Sequence, residues 1–395
     1  MTIIIGIILA IFLSLILISK KGKSLPDKIL LAWLITIATT LILYTLQTEE
    51  ARYNYPFFLG WGFPFPLLQW PFLYVYVLAL TSNKPLNAKL ILHFLPFVCS
   101  VLLFSRYFFL PNQVKINIYN RQGEGYETEM TINLIAIVLS AIVYTILSGY
   151  ELLRYKQRIK NEFSSTEKIT LNWLRYLIIG MTGILFVVLL GANDEYIFSS
   201  ITCVVLYIGY FGIKQVGIFS ENIQMGQGLV SLNYSISNAP VTAKAEDYSN
   251  THETGEIAER APAPEKVKYE KTKISEQETT IIHQKLKELM NKEKLYKNPE
   301  LTLSEVAQKI PIHPNTLSQV INTVEEKNFY DYINSQRVEE FQRIIFLPQN
   351  KEYTLLALAF ECGFNSKTSF NRNFKKATNL SPSEYIKQKN IQLKD

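Results

Sequence analysis

The sequence predicts an all-helical (all-α) protein with two parts, a seven-helix transmembrane bundle and a polar helical domain that follows it. Residues 2–213 alternate long apolar runs with short polar loops, and from about residue 296 apolar residues recur at helical spacing within polar sequence. The chain of 395 residues is 48% hydrophobic and 19% charged, whereas soluble proteins carry about 25% charged residues. Because the apolar excess lies in the first part, the composition argues against an ordinary soluble enzyme and against a disordered or disulfide-rich chain.

Seven apolar segments are candidates for membrane-spanning helices, since a hydrocarbon core of about 30 Å requires ~20 apolar helical residues. They are residues 2–19, 29–46, 57–80, 88–109, 132–153, 173–190 and 197–213. The first segment does not resemble a signal peptide, because Lys20, Lys21 and Lys23 follow the apolar stretch and no small-residue cleavage site is present. We therefore expect an uncleaved first helix and a transmembrane domain over residues 1–213.

Basic residues are concentrated in alternate loops, which predicts the orientation of the bundle. The loops after the first, third and fifth spans are basic, and the other loops contain as many acidic residues or more. The positive-inside rule then places the N-terminus outside, and seven spans leave the C-terminal half in the cytoplasm. The expected location is the inner (plasma) membrane, as a multi-pass protein in contact with membrane lipid.

The third span combines prolines with aromatic and amide side chains. Prolines kink helices, and kinked helices often line cavities within a bundle. Trp61, Gln69 and Trp70 are therefore candidates for binding a small molecule or a membrane-derived signal. The alternative is an interfacial aromatic belt that only packs and anchors the helix.

No catalytic or metal-binding motif accompanies these spans. His93 has no HExxH or HxxxH partner, and Cys99, Cys203 and Cys362 form no CxxC pair. No ionisable residue lies near the middle of a span, which weakens a pump or ion-transporter interpretation. The sequence therefore predicts no catalytic residues, no metal site and no cofactor, and the protein is not expected to be an enzyme.

Residues 214–275 are predicted to form a flexible acidic linker, because within 220–265 seven acidic residues stand against only Lys244 and Arg260. A connecting helix is predicted at 276–295, with Ser275 and Glu278 as a capping box at its start. The apolar stripe of this helix is narrow. It fits either packing on the following domain or pairing with a second copy of the chain.

Residues 296–395 repeat one helical plan twice. Residues 303–310 and 314–322 flank one tight turn, and residues 354–361 and 366–377 flank another. Ala307 and Ala359 stand where each pair of helices would cross, which requires a small side chain. This is the plan of two helix-turn-helix units, whose second helices enter the major groove of DNA.

The same residues resemble a known family. The stretch AFECGFNSKTSFNRNFKK at 359–376, closed by Ser381 and Pro382, looks like the C-terminal half of an AraC/XylS-type transcriptional regulator domain. The stretches LTLSEVAQKI at 301–310 and HPNTLSQVIN at 313–322 are similar to the first helix-turn-helix of that family. The sequence departs from the family at Pro311 and Asn379, where glycine is usual, and at His313, where a serine often caps the helix. The resemblance implies two recognition helices in successive major grooves, about 34 Å apart.

Ten residues are expected to contact double-stranded DNA. In the second unit, Ser366 should cap the recognition helix, Gly363 should allow the close turn, and the basic residues fall on one face with no acid among 367–376. Asparagine and glutamine can bond adenine, and arginine or lysine can bond guanine. The ten are Asn315, Ser318, Gln319, Asn365, Ser366, Lys367, Thr368, Asn371, Arg372 and Lys375.

The leading hypothesis is a membrane-anchored, sequence-specific DNA-binding transcription regulator, with the bundle sensing a signal and two chains pairing as a homodimer. One alternative is a membrane transporter or enzyme with an appended regulatory helix-turn-helix domain. Another is a bundle that only anchors a partner-binding module. HExxH, GxSxG and GxxxxGK motifs are absent from the sequence, which disfavours the enzyme alternative.

Overall fold

The structure, a computed structural model, describes residues 1–82, 86–219 and 274–389. Every regular element among these residues is a helix, which confirms the all-helical prediction. The chain separates into two units: the first contains Met1–Ile159 and Lys168–Gly228, and the second contains Lys160–Glu167 together with Leu229–Asp395. Most of the predicted linker, residues 220–273, lies outside the described residues.

The helices of the first unit follow one another through short turns. They are α1 (Thr2–Ser19), α2 (Leu25–Thr45), α3 (Glu49–Asn54), α4 (Pro66–Thr81), α5 (Leu95–Leu103), α6 (Ser105–Phe108), α7 (Asn112–Asn120), α8 (Glu127–Glu162), α9 (Asn172–Leu189) and α10 (Asp194–Phe219). Short 3₁₀ turns at Pro56–Phe58 and Ala88–Phe94 precede α4 and α5.

The core of the first unit lies where α1, α2, α4, α9 and α10 pack against one another. Trp33, Leu73 and Leu174 are fully buried there. The indole nitrogen of Trp33 donates a hydrogen bond of 2.9 Å to Gln69 Oε1, which satisfies a polar atom that burial would otherwise leave without a partner. A smaller aromatic cluster around Phe104 and Tyr107 packs separately from this core.

Four helices in the described part of the chain, α1, α2, α8 and α9, are long and apolar enough to cross a membrane. The helix α4 and the apolar stretch Ala88–Leu103 are shorter. The third predicted span therefore differs from its expected bounds of 57–80, because the continuous helix begins only at Pro66. Gly60 has a φ of +82° and Pro64 lacks an amide hydrogen, so the chain before Pro66 is unsuited to a regular helix. The total of seven spans remains a prediction.

The second unit is a polar helical domain in which helices follow one another at short intervals. Its helices are α11 (Glu276–Glu293), α12 (Leu303–Lys309), α13 (Pro314–Val324), α14 (Phe329–Ile344), α15 (Leu355–Glu361), α16 (Lys367–Thr378) and α17 (Pro382–Gln388). The segment Lys160–Glu167 belongs to this unit, and its Phe163 forms an antiparallel bridge with Thr302.

Two hydrophobic cores share the long helix α14. Phe329 and Ile333, near its start, belong to the core around α12 and α13. Val338 and Phe341, further along, belong to the core around α15 and α16. Because a single helix contributes to both cores, it fixes the spacing between the two helix-turn-helix units.

The connecting helix α11 packs on the domain that follows it. Leu286 and Met290 are buried in the core of the first helix-turn-helix unit, and His283 lies 2.7 Å from Glu325 at the end of α13. The predicted capping box is present, since Ser275 Oγ accepts from the Glu278 amide while the Glu278 carboxylate accepts from the Ser275 amide. Of the two alternatives for the apolar stripe of α11, this packing matches the first.

Candidate nucleic-acid interface

The second helix of each helix-turn-helix unit begins with a side-chain cap. Ser366 Oγ accepts a hydrogen bond of 3.1 Å from the Ser369 amide, which confirms the predicted cap of α16. In the first unit, His313 Nδ1 accepts a hydrogen bond of 3.1 Å from the Asn315 amide. The imidazole thus replaces the expected serine hydroxyl, and Pro314 follows at the first helical position, where proline is favoured.

The turn of the second unit depends on a glycine and an alanine. Gly363 has a φ of +96°, and a Cβ atom added to it would lie 2.3 Å from the carbonyl oxygen of Tyr296. Ala359 is completely buried beneath the turn. A larger side chain at either position would separate the elements that hold α16 in place.

Two further positions of positive φ lie where the AraC/XylS-type sequence pattern usually has glycine. Asn379, just after α16, has a φ of +60°, which confirms that asparagine takes the left-handed conformation expected of the usual glycine. Pro311, in the first turn, has a φ of +26°, a conformation that the proline ring resists. Asn379 therefore takes the backbone conformation of the usual glycine, whereas the φ of Pro311 differs from that of Gly363 in the second turn.

The structure places the predicted DNA-contacting residues on α13 and α16 and just before α16. Seven are exposed and three are half-buried. The exposed ones are Asn315, Gln319, Lys367, Thr368, Asn371, Arg372 and Lys375; the half-buried ones are Ser318, Asn365 and Ser366. The apolar side of α16 supplies Phe370 and Phe374 to the core, so its polar side faces away from that core. That the ten residues contact DNA remains a prediction.

Tyr330, a buried residue that the sequence analysis did not single out, connects α16 to α14. The hydroxyl of Tyr330 accepts hydrogen bonds from Arg372 Nη2 at 2.6 Å and from Asn373 Nδ2 at 2.7 Å. Lys376 forms an ion pair of 2.7 Å with Asp331 on the same helix. These bonds fix the rotation of α16 about its axis and so determine which residues it exposes.

A second residue that sequence reasoning missed is Arg337, which is 1% exposed. Its five hydrogen bonds go to the Tyr296 and Asn298 carbonyls, to the Asn334 side chain, and to the carbonyl and hydroxyl of Ser164. Burial lowers the pKa of Arg337 to about 10, so the group remains charged at neutral pH. Arg337 thereby joins α14, the chain before α12 and the segment Lys160–Glu167.

That segment also reaches two of the predicted DNA-contacting residues. Asn365 Nδ2 donates to Ser165 Oγ at 2.6 Å, and Arg372 Nη2 lies 3.1 Å from Glu167 Oε1. Burial alone would raise the pKa of Glu167, but hydrogen bonds from Ser165 and Ser369 and the charge of Arg372 lower it overall. The carboxylate is therefore ionised at neutral pH and neutralises part of the basic face of α16.

The three candidate ligand residues of the third span lie in different surroundings. Gln69 is buried and occupied by its bonds to Trp33 and Thr40. Trp70 is buried in the core, and Trp61 stacks on Phe108 with ring centroids 4.8 Å apart. Gln69 and Trp70 therefore have packing roles in this structure, and a ligand at these residues remains a prediction.

The described residues contain no group of three or more His, Cys, Asp or Glu side chains that could hold a metal ion. Cys362 is fully buried in the second core, and burial raises the pKa of its thiol to about 12. Its side chain acts as a small apolar filler beneath the turn.

Comparison with known proteins identifies the same region. A family model described as a helix-turn-helix domain matches residues 306–388. The chain is 34% identical over 93 residues to the uncharacterized HTH-type transcriptional regulator YijO of Escherichia coli (strain K12), covering 24% of this chain and 32% of that protein. The chain thus spans about a third of the length of this relative. No solved structure matches the chain.

The C-terminal part of the chain carries a helix-turn-helix domain. The matched residues run from the middle of α12 to the end of α17 and include both capped recognition helices. Such a domain supports DNA binding and transcription regulation as the class of function, and neither comparison matches an enzyme. The bundle of apolar helices lies outside the matched residues.

Proposed function

We propose that this protein is a membrane-anchored, sequence-specific DNA-binding transcription regulator of the AraC/XylS type. The observation that supports it most is the pair of helix-turn-helix units that share α14, each with a capped recognition helix and an exposed polar face. A single rigid helix between the units suits reading of two successive major grooves.

In this proposal the two units read different base chemistry. Asn315 and Gln319 on α13 present amides that can bond adenine through two hydrogen bonds, whereas Arg372 on α16 presents a guanidinium suited to guanine. Lys367 and Lys375 would contact phosphates and set the register of α16 on the duplex. The first unit would therefore distinguish base pairs mainly through amide hydrogen bonds, and the second mainly through charged side chains.

The apolar helices would anchor the protein in the inner membrane with its N-terminus outside and the helix-turn-helix domain in the cytoplasm. Supporting this are the four helices with sufficient length and hydropathy to cross a membrane and the basic residues of alternate loops. Lipid would be the solvent of the bundle. Residues 214–275 would tether the domain close to the membrane surface.

The bundle would also sense a small-molecule or membrane-derived signal, and two chains would act as a homodimer. Pairing would raise the effective concentration of one domain once the other is bound, so tandem sites would be held more tightly than single ones.

The decisive experiment uses the full-length chain in lipid nanodiscs to select duplexes from a random pool. We expect enrichment of a bipartite sequence whose halves lie about one helical turn apart. The affinity for the enriched duplex should exceed that for a scrambled duplex of equal composition by about 10³-fold at fixed salt. Equal affinity for both duplexes at each salt concentration would rule out sequence-specific regulation.

A further inference from the structure

The segment Lys160–Glu167 is built into the helix-turn-helix domain through backbone and buried contacts. The Ser164 amide donates to the Leu301 carbonyl at 3.1 Å, and the Ser164 carbonyl accepts from Asn334 Nδ2 at 3.0 Å and from Arg337 Nη1 at 3.2 Å. The Ser164 hydroxyl accepts from Arg337 Nη2 at 3.0 Å. Because Ser164 and Arg337 are both 1% exposed, this attachment is a specific buried site and not a loose surface contact.

Beyond Ser164, the segment presents polar side chains to the predicted DNA-contacting residues. Ser165 Oγ accepts from Asn365 and itself donates to Glu167 Oε2 at 2.8 Å, which orients the carboxylate. The other oxygen, Glu167 Oε1, lies 3.1 Å from Arg372 Nη2. The segment therefore contacts both the N-terminal approach to α16 and its central arginine.

The position of the ion pair on Arg372 matters for base recognition. A guanidinium can grip guanine with two parallel hydrogen bonds either through Nη1 and Nη2 or through Nε and Nη2, so both arrangements require Nη2. In this structure Nη2 is directed to Glu167 and Tyr330. A carboxylate at this site also repels the DNA phosphates that a recognition helix must approach.

We propose that the segment Lys160–Glu167 is an autoinhibitory element that competes with DNA for Arg372 and Asn365. When docked, it holds the domain in a state of low affinity; when it is released, both side chains become available to the duplex. The segment comprises the last residues of α8 and the start of the loop that leads to α9, so a change in either helix has a direct covalent route to it. This inference rests on the proposed DNA-binding function.

The test compares three full-length proteins in nanodiscs on the duplex enriched from the random pool: the wild type, Glu167→Gln and Glu352→Gln. Glu352 is an exposed glutamate in the loop before α15, so its variant makes the same change in net charge and is the matched control. We expect Glu167→Gln to bind about 5-fold more tightly and Glu352→Gln to bind within about twofold of the wild type. In an Arg372→Gln background, Glu167→Gln should no longer increase affinity, because its effect acts through the guanidinium.

Hydrogen exchange on the wild-type chain provides the second readout. Saturating duplex should accelerate exchange of the peptide that covers residues 160–167, because the Ser164 amide loses its bond to Leu301. Unchanged or weaker binding by Glu167→Gln overturns the proposal, and so does a segment that stays protected in the saturated complex. If no duplex is enriched, the proposed function itself fails, a result distinct from enrichment without any effect at Glu167.

Discussion

Buried polar side chains determine how the helices of the helix-turn-helix domain are arranged. Arg337 satisfies its five donors with neutral acceptors, and Tyr330 accepts two bonds from α16. Burying such groups costs free energy unless each donor finds a partner. Their geometry therefore selects one arrangement of the surrounding helices, and substitutions at this scale should affect distant contacts.

Glu340 should make the stability of this domain dependent on pH in the acid range. Hydrogen bonds from Arg343, and bonds and charges from Lys294 and Lys297, lower the pKa of Glu340 from 4.5 to about 2, against the opposing effect of burial. The folded state then binds fewer protons than the unfolded chain between these values. The stabilisation is fully present above pH 4.5 and is lost as the pH falls through about 2.

Protonation of Glu340 should lower the free energy of unfolding by about 2 kcal/mol. This is less than the full pKa shift implies, because the three cationic partners are half-exposed and solvent screens their charges. Hydrogen exchange of α14, corrected for the intrinsic rate at each pH, measures it in the full-length protein. Glu340→Gln should flatten the pH dependence, whereas the exposed Glu352→Gln should retain it. If Glu340→Gln kept the pH dependence of the wild type, other carboxylates would be responsible for the loss of stability in acid.

Gly363→Ala should destabilise the second helix-turn-helix unit by about 3 kcal/mol, because the added Cβ would meet the Tyr296 carbonyl oxygen at 2.3 Å and φ is +96°. The expected result is faster hydrogen exchange throughout α16. Gly125→Ala is the matched control, since φ is +82° there and an added Cβ meets nothing within 4 Å. If Gly125→Ala lowered local stability as much as Gly363→Ala, the destabilisation would come from the positive φ and not from the clash with Tyr296.

Arg372→Ala should relax sequence preference and not merely weaken binding. Removal of a side chain that bonds a base costs about 1–3 kcal/mol at that base pair and leaves the other positions unchanged. The measurement is affinity for the enriched duplex and for its single-base variants, at one salt concentration. Lys375→Ala, on the same helix, should weaken all duplexes equally, and an identical pattern for both variants would remove Arg372 from base recognition.

At the scale of elements, α14 is the part on which both units depend. Phe329, at its start, is buried in the first core, and Phe341 is buried in the second. Both side chains are 1% exposed or less. The two cores share one helix but use different residues of it. A substitution in one core should therefore destabilise mainly the helix-turn-helix unit that contains that core.

Phe329→Ala and Phe341→Ala form a matched pair that tests this division. Each should cost about 3–5 kcal/mol through lost burial and a residual cavity. Hydrogen exchange should accelerate most in α13 for Phe329→Ala and most in α16 for Phe341→Ala. Equal acceleration of both helices by either variant would show that the domain unfolds as one cooperative block.

Local features of these elements could be predicted from the sequence. Ser275 with Glu278 and Ser366 stand within four residues of the amides that they cap, so the sequence pattern alone indicates them. The start of α4 at Pro66 differs from the prediction because an apolar run has no sharp boundary, and turn geometry at Gly60 determined the outcome.

The remaining contacts of the candidate interface could not be predicted, because their partners lie far apart in the chain. Glu167 and Arg372 are 205 positions apart, and Ser164 and Arg337 are 173 apart. A polar loop between two apolar segments gives no local signal that it docks on a distant domain. Only the unusual burial of an arginine in α14 reveals that such a partner is needed.

At the scale of the whole molecule, the remaining question is whether the apolar helices sense a signal or only anchor the domain. An anchor requires nothing but hydropathy, and one span provides that. A sensor requires a differential interaction with two states of the protein. The two roles therefore differ in how far regulation survives when the bundle is exchanged for an unrelated span.

The corresponding prediction concerns a chimera in which one unrelated span, with its N-terminus outside, carries residues 229–395. Transcription from a reporter with the enriched duplex should vary across a panel of growth conditions for the full-length protein and remain constant for the chimera. The chimera also lacks Lys160–Glu167, so its occupancy of the duplex should equal or exceed the highest level of the full-length protein. Footprinting in cells measures occupancy directly. If transcription with the chimera varied across the conditions in parallel with the full-length protein, the bundle would only anchor the domain, because one span would then suffice for the whole response.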